Sequence, residues 1–237
     1  PEVLHAIARE AINQKARSEI VATTEQLLAE RYPKHITRDT PWIFNNAGGA
    51  MGQIKLLHSS LTEYVLIFGT PIGTEGHSGR YGTEVYDYML DGEMWTYHAG
   101  EFQRTISKPG DLAYLGPDKA KGYATPQGAY MLEYSRGIIP TMLPFGLADT
   151  LFSTRDGVTM RRTLWHYGRL VVRELFGILR TINAEAGVGM LLVEQNAAMA
   201  LELADQGCVI ETGRVVLSGS ANDLKQDDAV RRSYLGY

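Results

Sequence analysis

The chain has 237 residues, enough for one large domain or two small ones, and its 44% hydrophobic and 21% charged residues indicate a globular protein. A net charge of −4 argues against general nucleic-acid binding, and a single cysteine, Cys208, excludes an intrachain disulfide and a cysteine metal cluster. No apolar run reaches the roughly 18 residues of a membrane-spanning helix, and no signal peptide is recognised at the start. These features favour a protein of a reducing compartment.

The first segment, residues 1–33, is predicted to be helical. Its apolar residues recur at helical spacing in two stripes, which are Leu4, Ile7, Ala8 and Ile12, then Ile20, Leu27 and Leu28. They predict one helix or a helical pair over Glu2 to Arg31, which Pro33 ends. The predicted role of this segment is packing, without chemistry of its own.

Residues 34–137 carry the signals of a β-rich domain. A short helix is predicted over Leu56 to Leu61, and a strand over Glu63 to Thr70. Further along, short strands alternate with turn signals, namely Asp91-Gly92, His98-Ala99-Gly100, Lys108-Pro109-Gly110-Asp111, Gly116-Pro117 and Pro126-Gln127-Gly128. Such regular spacing predicts a sandwich or small barrel, so the fold class is mainly β with flanking helices.

The turn pattern of this domain resembles the small double-stranded barrels called cupins, many of which hold a metal on closely spaced histidines and a glutamate. This sequence has His77 but no His-x-His, and Lys121 stands where a histidine would follow Pro117. We therefore expect no metal site here and a hydrogen-bonding role for His77. The glycines of Asn46 to Gly52 lack the spacing of a phosphate loop, so they predict close backbone packing.

Two acidic residues occupy positions where strands bury their side chains. Strand alternation puts Asp87 on one face with Val85, and Glu133 lies in the middle of a later strand. In one apolar pocket, burial would raise their pKa values and proximity would let the pair share a proton, which suits acid/base chemistry. Alternatively, each acid pairs with a basic partner such as Arg80 or Arg136.

Residues 138–180 are predicted to form two amphipathic helices. Ile138 to Phe152 is strongly apolar, Ser153 to Asp156 is a turn and helix N-cap signal, and a long helix follows from Gly157 to Arg180. This long helix carries arginines among its apolar residues, at Arg161, Arg162, Arg169, Arg173 and Arg180. Neither helix is long and apolar enough to span a bilayer, but such helices can lie in its interface. The alternative is that they cap the barrel.

From about Trp42 to Phe176 the chain resembles the family of fungal sterol delta-eight to delta-seven isomerases and the animal sigma-one receptor. The matching blocks are Asn46-Ala47-Gly48-Gly49 with Met51-Gly52, Leu56-Leu57-His58 through Leu66, Phe68-Gly69-Thr70, Gly76-His77-Ser78-Gly79-Arg80-Tyr81, Glu133-Tyr134 with Arg136-Gly137, Ile139-Pro140, and Leu147-Ala148-Asp149-Thr150 with Phe152-Ser153-Thr154. The blocks are long, ordered and nearly without gaps.

This resemblance implies a cupin-like barrel that membrane-facing helices close on its open side. It implies that Asp87 and Glu133 are a catalytic pair of acids, and that seven residues line the ligand pocket, namely Tyr64, Leu66, Phe68, Tyr81, Val85, Leu143 and Tyr167. It also suggests a homo-oligomer, a trimer. Ala50 and Thr125 stand where the receptor has tryptophans, which bears on the shape of the ligand.

Residues 181–237 resemble the end of an ABC-transporter ATPase of the branched-chain amino-acid importer type. The resemblance rests on Met190 to Leu201, Ala204-Asp205 with Gly207, Glu211 to Gly219, and Arg231 to Gly236. The phosphate loop, the signature segment and the acidic magnesium strand are absent, so no nucleotide binding is predicted. This small α/β tail is expected to contain a strand at Met190 to Val193, a helix, a hairpin turning at Glu211 to Arg214, and short terminal helices.

The leading hypothesis is an isomerase that moves a double bond in a sterol-like lipid and needs no metal or redox cofactor. One buried acid would protonate the alkene, the other carboxylate and aromatic faces such as Tyr81 and Phe68 would stabilise the carbocation, and loss of a neighbouring proton would complete the shift. The alternative is a non-catalytic receptor in which Glu133 binds a protonated amphipathic amine. Expected partners are a sterol-like lipid or amine and a membrane surface, with no nucleic acid and no nucleotide. The expected location is peripheral membrane, otherwise cytoplasmic.

Overall fold

The computed structural model describes residues 1–195 and 197–232, and the chain divides into two compact units, residues 1–175 and 176–237. The elements of the first unit are α1 (Glu2–Ala11), α2 (Arg17–Arg31), β1 (Ile43–Ala47), β2 (Ala50–Ser59), β3 (Glu63–Thr70), β4 (Thr74–His77), β5 (Glu84–Gly92), β6 (Met94–Tyr97), β7 (Thr105–Ser107), β8 (Leu112–Leu115), β9 (Gly122–Thr125), β10 (Ala129–Arg136), a 3₁₀ turn (Ile139–Met142) and α3 (Leu143–Phe152). Helix α4 (Gly157–Ala186) continues into the second unit, which adds α5 (Ala197–Leu203), β11 (Gln206–Glu211), β12 (Arg214–Ser220), α6 (Ala221–Gln226) and α7 (Asp228–Val230).

The amino-terminal segment forms two helices rather than one. The side-chain amide of Asn13 donates to the backbone carbonyl of Glu10 at 3.0 Å. Helix α1 ends here because an Asn side chain competes with the helical hydrogen bonds. The side chain of Glu19 accepts from the backbone nitrogen of Ala16 at 3.2 Å and caps the start of α2. Both helices share one buried cluster with the large sheet, for example through Leu4 and Leu132, which is the packing role that the sequence predicts.

The prediction of a mainly β fold with flanking helices is confirmed. Six strands form one antiparallel sheet in the order β1-β2-β3-β10-β5-β8, and four form a second in the order β4-β9-β6-β7. The face of the large sheet opposite α1 and α2 packs on the second sheet through a cluster that includes Ile54, Phe68 and Met94. Since β1 and β8 remain at the edges of the large sheet, the described strands form two facing open sheets, which agrees with the sandwich form of the predicted sandwich or small barrel.

Residues 56–61, predicted as a short helix, instead complete β2 and the turn that follows it. Strand β2 pairs with β1 on one side and β3 on the other, so its backbone hydrogen bonds run across the sheet. The hydroxyl of Ser60 accepts from the backbone nitrogens of Thr62 at 3.1 Å and Glu63 at 3.0 Å and turns the chain into β3. Residues 56–59 lie beyond the part of β2 that pairs with β1, so their pairing with β3 outweighs the local helical pattern.

Two glycines of the Asn46 to Gly52 segment turn the chain between β1 and β2. Gly48 and Gly49 have φ angles of +61° and +88°, as a tight two-residue hairpin turn requires. A Cβ atom on Gly48 would lie 2.1 Å from the carbonyl oxygen of His77, so no larger residue fits there. The predicted role in close backbone packing is confirmed by these contacts.

Both helices predicted after β10 are present: α3 ends at Phe152 and α4 begins at Gly157 as predicted, whereas α4 runs to Ala186, six residues past its predicted end at Arg180. The carboxylate of Asp156 accepts from the backbone nitrogens of Val158 at 3.1 Å and Thr159 at 3.0 Å, so the predicted N-cap of α4 is confirmed. Helix α3 is tied to the β1–β2 turn because Asp149 accepts from the backbone nitrogen of Gly49 at 2.8 Å. Among the described residues, no helix combines the length and apolar character needed to cross a membrane.

The second unit is small and has its own buried cluster, formed by Leu201, Ala221, Leu224 and Val230. The predicted hairpin is present as β11 and β12, and Thr212 and Gly213 turn it with positive φ angles. The predicted strand at Met190 to Val193 is wrong, because these residues pair with no described strand and their side chains are exposed. The short terminal helices are α6 and α7; Asn196 and residues 233–237, which belong to the quoted tail blocks, lie outside the described residues.

Candidate functional site

A cavity of about 190 Å³ lies between the two sheets of the first unit, beneath α3 and α4. Apolar side chains from both sheets and from the 3₁₀ turn form much of its wall, among them Ile54, Leu56, Met94, Leu115, Met131 and Met142. All nine site residues predicted from the sequence line this one cavity: Tyr64, Leu66, Phe68, Tyr81, Val85, Asp87, Glu133, Leu143 and Tyr167. The structure thus brings the predicted acids and the predicted pocket residues together, and their roles in catalysis and binding stay predictions.

The two acids face each other on neighbouring strands. Strands β5 and β10 pair antiparallel with Glu133 directly opposite Asp87, so both side chains lie on the same face of the sheet. On its other side, Glu133 is opposite Leu66 of β3. The alternation of the strands accounts for this placement, because Val85 and Asp87 point into the cavity while Tyr86 and Tyr88 pack on the opposite face.

Each carboxyl group has its own hydrogen-bond donor. The hydroxyl of Tyr64 donates to Oε1 of Glu133 at 2.5 Å, and Nζ of Lys121 donates to Oδ2 of Asp87 at 2.7 Å. Both side chains of the Lys121–Asp87 ion pair are only 6% exposed. The two acids thus have separate donors, Tyr64 for Glu133 and Lys121 for Asp87, and the sharing of a proton between them stays a prediction.

The basic partners considered for the acids lie elsewhere. Arg136 pairs with Glu84, and Arg80 donates to the carbonyl of Asp118 at 2.6 Å. Neither arginine lines the cavity. The alternative of a structural ion pair is therefore realised for Asp87, but with Lys121 as the partner.

The environment of Glu133 favours its protonated form. Burial, followed by the negative charge of Asp87, raises the pKa of Glu133 to about 7. The hydrogen bond from Tyr64 and the positive charge of Lys121 oppose this rise. Burial and the nearby Glu133 charge also raise the pKa of Tyr64, which keeps its phenol neutral and able to donate. Near neutral pH, Glu133 can therefore act as a proton donor inside an apolar cavity.

Two tyrosines of the cavity wall, Tyr81 and Tyr167, are held in place by hydrogen bonds to the backbone. The hydroxyl of Tyr81 donates to the carbonyl of Ser78, and its ring meets Phe145 of α3 edge-on with centroids 5.9 Å apart. The hydroxyl of Tyr167 on α4 donates to the carbonyl of Ser60 at 3.4 Å. These contacts hold the two tyrosines in the cavity wall and leave their hydroxyl groups bonded to the backbone.

Sequence reasoning did not assign Lys121 to the site. It noted this lysine only as the residue standing in place of a cupin histidine, and because lysines are mostly exposed, no local signal indicated an inward charge. The expected hydrogen-bonding role of His77 is present, because its Nδ1 accepts from the backbone nitrogen of Gly79 at 2.9 Å. His77 thereby orders the loop on the cavity rim.

Several known proteins are similar to this chain. It is 42% identical over 180 residues to a C-8 sterol isomerase of Pyricularia oryzae, which covers 74% of this chain and 80% of that protein. It is 44% identical over 152 residues to the C-8 sterol isomerase ERG2 of Gibberella zeae, with 64% and 63% covered, and 43% identical over 158 residues to the sigma non-opioid intracellular receptor 1 of Gallus gallus, with 66% and 71% covered. Among solved structures, an RmlC-like cupin from Shewanella frigidimarina aligns with 41% of this chain and 84% of that chain at 17% identity and a TM-score of 0.36.

The family comparison extends the resemblance read from the sequence. The family described as ERG2 and Sigma1 receptor like protein matches residues 1–178, so it includes the amino-terminal helices as well as the cavity and the first part of α4. The match ends before the tail, and the resemblance of residues 181–237 to an ABC-transporter ATPase stays a prediction. Because the match takes in well over half of the chain, this protein belongs to the ERG2 and Sigma1 receptor like protein family.

Proposed function

We propose that this protein moves a double bond in a sterol-like lipid, with Glu133 as the general acid. The observation that carries the proposal is a carboxylic acid whose pKa is raised to about 7 in an apolar cavity, directly opposite a second carboxylate. Relatives of the family that are named C-8 sterol isomerase support the substrate class.

The proposed reaction is a proton addition followed by a proton loss. Glu133 donates its proton to one carbon of the ring alkene, and the electron pair of the double bond forms the new C–H bond and leaves a carbocation. The Asp87 carboxylate and the faces of Tyr81 and Phe68 stabilise this positive charge. A carboxylate then removes a proton from the neighbouring carbon, so the double bond shifts and the net composition of the lipid is unchanged. Of the two acids, Glu133 suits the donor role because Lys121 already occupies Asp87.

A second candidate function is binding without turnover. The cavity offers Glu133 to a protonated amphipathic amine, because Lys121 neutralises the charge of Asp87 but Glu133 has only a neutral phenol as its donor. Relatives named sigma non-opioid intracellular receptor 1 support this reading. An amine also imitates the carbocation, so amine binding is compatible with both functions.

Turnover in heavy water separates the two functions. We expect purified protein, incubated in D₂O with a sterol that has its double bond at C-8, to release the shifted isomer with one deuterium bound to carbon. Mass spectrometry of the extracted sterol measures both the shift and the label. If the sterol is recovered unchanged while an amphipathic amine still binds, the isomerase proposal fails and the binding function stands.

The pH profile of turnover is expected to follow the protonated form of Glu133. Turnover should be nearly constant below about pH 7 and fall about tenfold per unit above it, because the raised pKa keeps the donor protonated up to that range. The same shift contributes stability that is fully present below the ordinary pKa of 4.5 and is lost as the pH rises through about 7. The measurement is kcat/KM between pH 5 and 9, because this ratio reports the pKa of the ligand-free protein. A rate that rises through pH 7 would show that the carboxylate form is needed first.

We also propose that α3 and the start of α4 lie on a membrane surface. Their large apolar side chains are exposed, with Phe152 at 79% and Trp165 at 66%, and arginines accompany them on α4. We expect the protein to float with anionic liposomes, and Phe152→Asp combined with Trp165→Asp to weaken binding by about tenfold or more, since each ring loses its buried area in the lipid.

The matched control for the liposome experiment is Phe102→Asp. Phe102 is fully exposed but lies in the loop between β6 and β7, outside the proposed membrane surface. This variant should float like the wild type. Equal flotation of all three proteins, or none for the wild type, would contradict a membrane surface at α3 and α4.

Assembly as a homo-oligomer and the lack of nucleotide binding by the tail stay predictions.

A further inference from the structure

Three potential metal ligands meet outside the cavity, at a second place in the first unit. His35 follows α2, His58 lies near the end of β2, and Glu174 lies on α4. The Nδ1 atom of His35 is 2.9 Å and 3.1 Å from the two carboxylate oxygens of Glu174, and Nδ1 of His58 is 3.8 Å from the nearer of them. One ligand atom from each residue lies within 4.8 Å of the other two. We call this group the His35–His58–Glu174 cluster.

The buried histidine of the cluster has an unsatisfied nitrogen. The side chain of His58 is only 7% exposed, and its Nε2 atom has no hydrogen-bond partner, with Oε1 of Glu63 3.7 Å away. Its Nδ1 atom faces two acceptors, the carbonyl of His35 at 3.4 Å and the carboxylate of Glu174. In a neutral imidazole one nitrogen carries no hydrogen, so either tautomer directs a lone pair at oxygen acceptors.

A cation bound at Nδ1 of His58 would remove this repulsion between a nitrogen lone pair and the oxygen acceptors. The Nδ1 lone pair then binds the cation, and Nε2 carries the hydrogen and points at the Glu63 carboxylate, the arrangement in which a second carboxylate orients a metal-bound histidine. A doubly protonated His58 between Glu63 and Glu174 is the competing arrangement.

The distances suit a small divalent ion. A tetrahedral ion with ligands at about 2.0–2.1 Å places its ligand atoms about 3.3–3.4 Å apart. The distances from Glu174 oxygens to Nδ1 of His35, 2.9 and 3.1 Å, and to Nδ1 of His58, 3.8 Å, lie on both sides of that value, and the two histidines each offer a ring nitrogen within 4.8 Å of the other. We propose that His35, His58 and Glu174 bind one divalent transition-metal ion, with zinc as the best fit to two imidazoles and a carboxylate. His35 is 52% exposed, so the fourth position of the ion is open to water.

Such an ion would connect three elements of the cavity's surroundings. It would hold α4 to β2 and to the loop after α2, and Tyr167, which lines the cavity, lies two helical turns before Glu174 on α4. The proposal does not depend on the isomerase function, because it concerns residues outside the cavity. The sequence-based expectation of no metal concerned the cupin histidine positions, and this cluster lies elsewhere.

Zinc titration of the untagged full chain tests the proposal. After treatment with a chelator and dialysis, we expect the protein to bind one zinc ion, to show a higher melting temperature with zinc, and to give the visible absorption of tetrahedral cobalt when Co²⁺ replaces it. His35→Ala and Glu174→Gln should each weaken zinc binding by about tenfold or more and remove the thermal effect. Because the His35 side chain is exposed, its loss should leave the fold intact.

The matched control is His98→Ala, which removes an exposed histidine outside the cluster. It should bind zinc with the affinity of the wild type and retain the rise in melting temperature. Zinc that binds with equal affinity to the wild type, His35→Ala and Glu174→Gln would place the ion elsewhere and overturn the proposal. A wild type that binds no zinc would overturn it as well and would leave the protonated His58 as the explanation of the cluster.

Discussion

Replacing Glu133 with glutamine is expected to lower isomerase turnover by about 10²–10⁴-fold, the usual cost of losing a general acid. Glutamine keeps the size of the side chain and can still accept from Tyr64 at its oxygen, but it has no acidic proton to donate. Amine affinity should fall by about 2–5 kcal/mol, because the amine loses a charged partner that is buried in a largely apolar cavity. The measurements are sterol turnover and amine binding on the same preparation.

The matched control for this variant is Glu84→Gln. Glu84 lies on β5 close to Asp87, but its side chain bonds to Arg136 and Tyr114 outside the cavity. Its replacement should leave turnover and amine affinity close to the wild-type values. If Glu133→Gln instead lowers only the melting temperature while turnover and amine affinity persist, Glu133 has a structural role and both functional proposals lose their central residue.

Replacing Lys121 with methionine is expected to cost about 3–5 kcal/mol of folding free energy, because it leaves the buried Asp87 carboxylate without its cation. For a domain of this size, that corresponds to a fall in melting temperature on the order of 10 °C. Adding Asp87→Asn to Lys121→Met should recover part of the loss, since no unpaired charge then remains. Thermal unfolding of the single and double variants measures both effects.

The pH profile of turnover is a second measurement, which separates the electrostatic role of Lys121 from a role in packing alone. The positive charge of Lys121 opposes the raised pKa of Glu133, so Lys121→Met should move the upper limb of the pH–turnover profile to higher pH. Lys119→Met is the control, because Lys119 is exposed in the same loop and does not line the cavity. A Lys121→Met protein with the melting temperature of the wild type would contradict the buried ion pair.

The local sequence pattern was sufficient to place the two acids. Strand alternation depends only on backbone geometry, so it directs Val85 and Asp87 to the same face wherever the strand packs. The same holds for local signals such as the cap at Asp156 and the hairpin turn at Thr212 and Gly213, because their partners lie within a few residues. The family resemblance then supplied seven further residues of the cavity, while others such as Lys121 and Met142 were found only in the structure.

Other features depended on contacts between distant parts of the chain. Lys121 meets Asp87 across 34 residues, and His35 meets Glu174 across 139, so no local period or cap signal could pair them. Residues 56–59 became strand because β3 supplied hydrogen-bond partners, whereas Met190 to Val193 pair with no described strand. The sequence by itself determined which faces the acids occupy, and only the tertiary structure decided which charges neutralise them, because burial and pairing depend on how the sheets and helices pack.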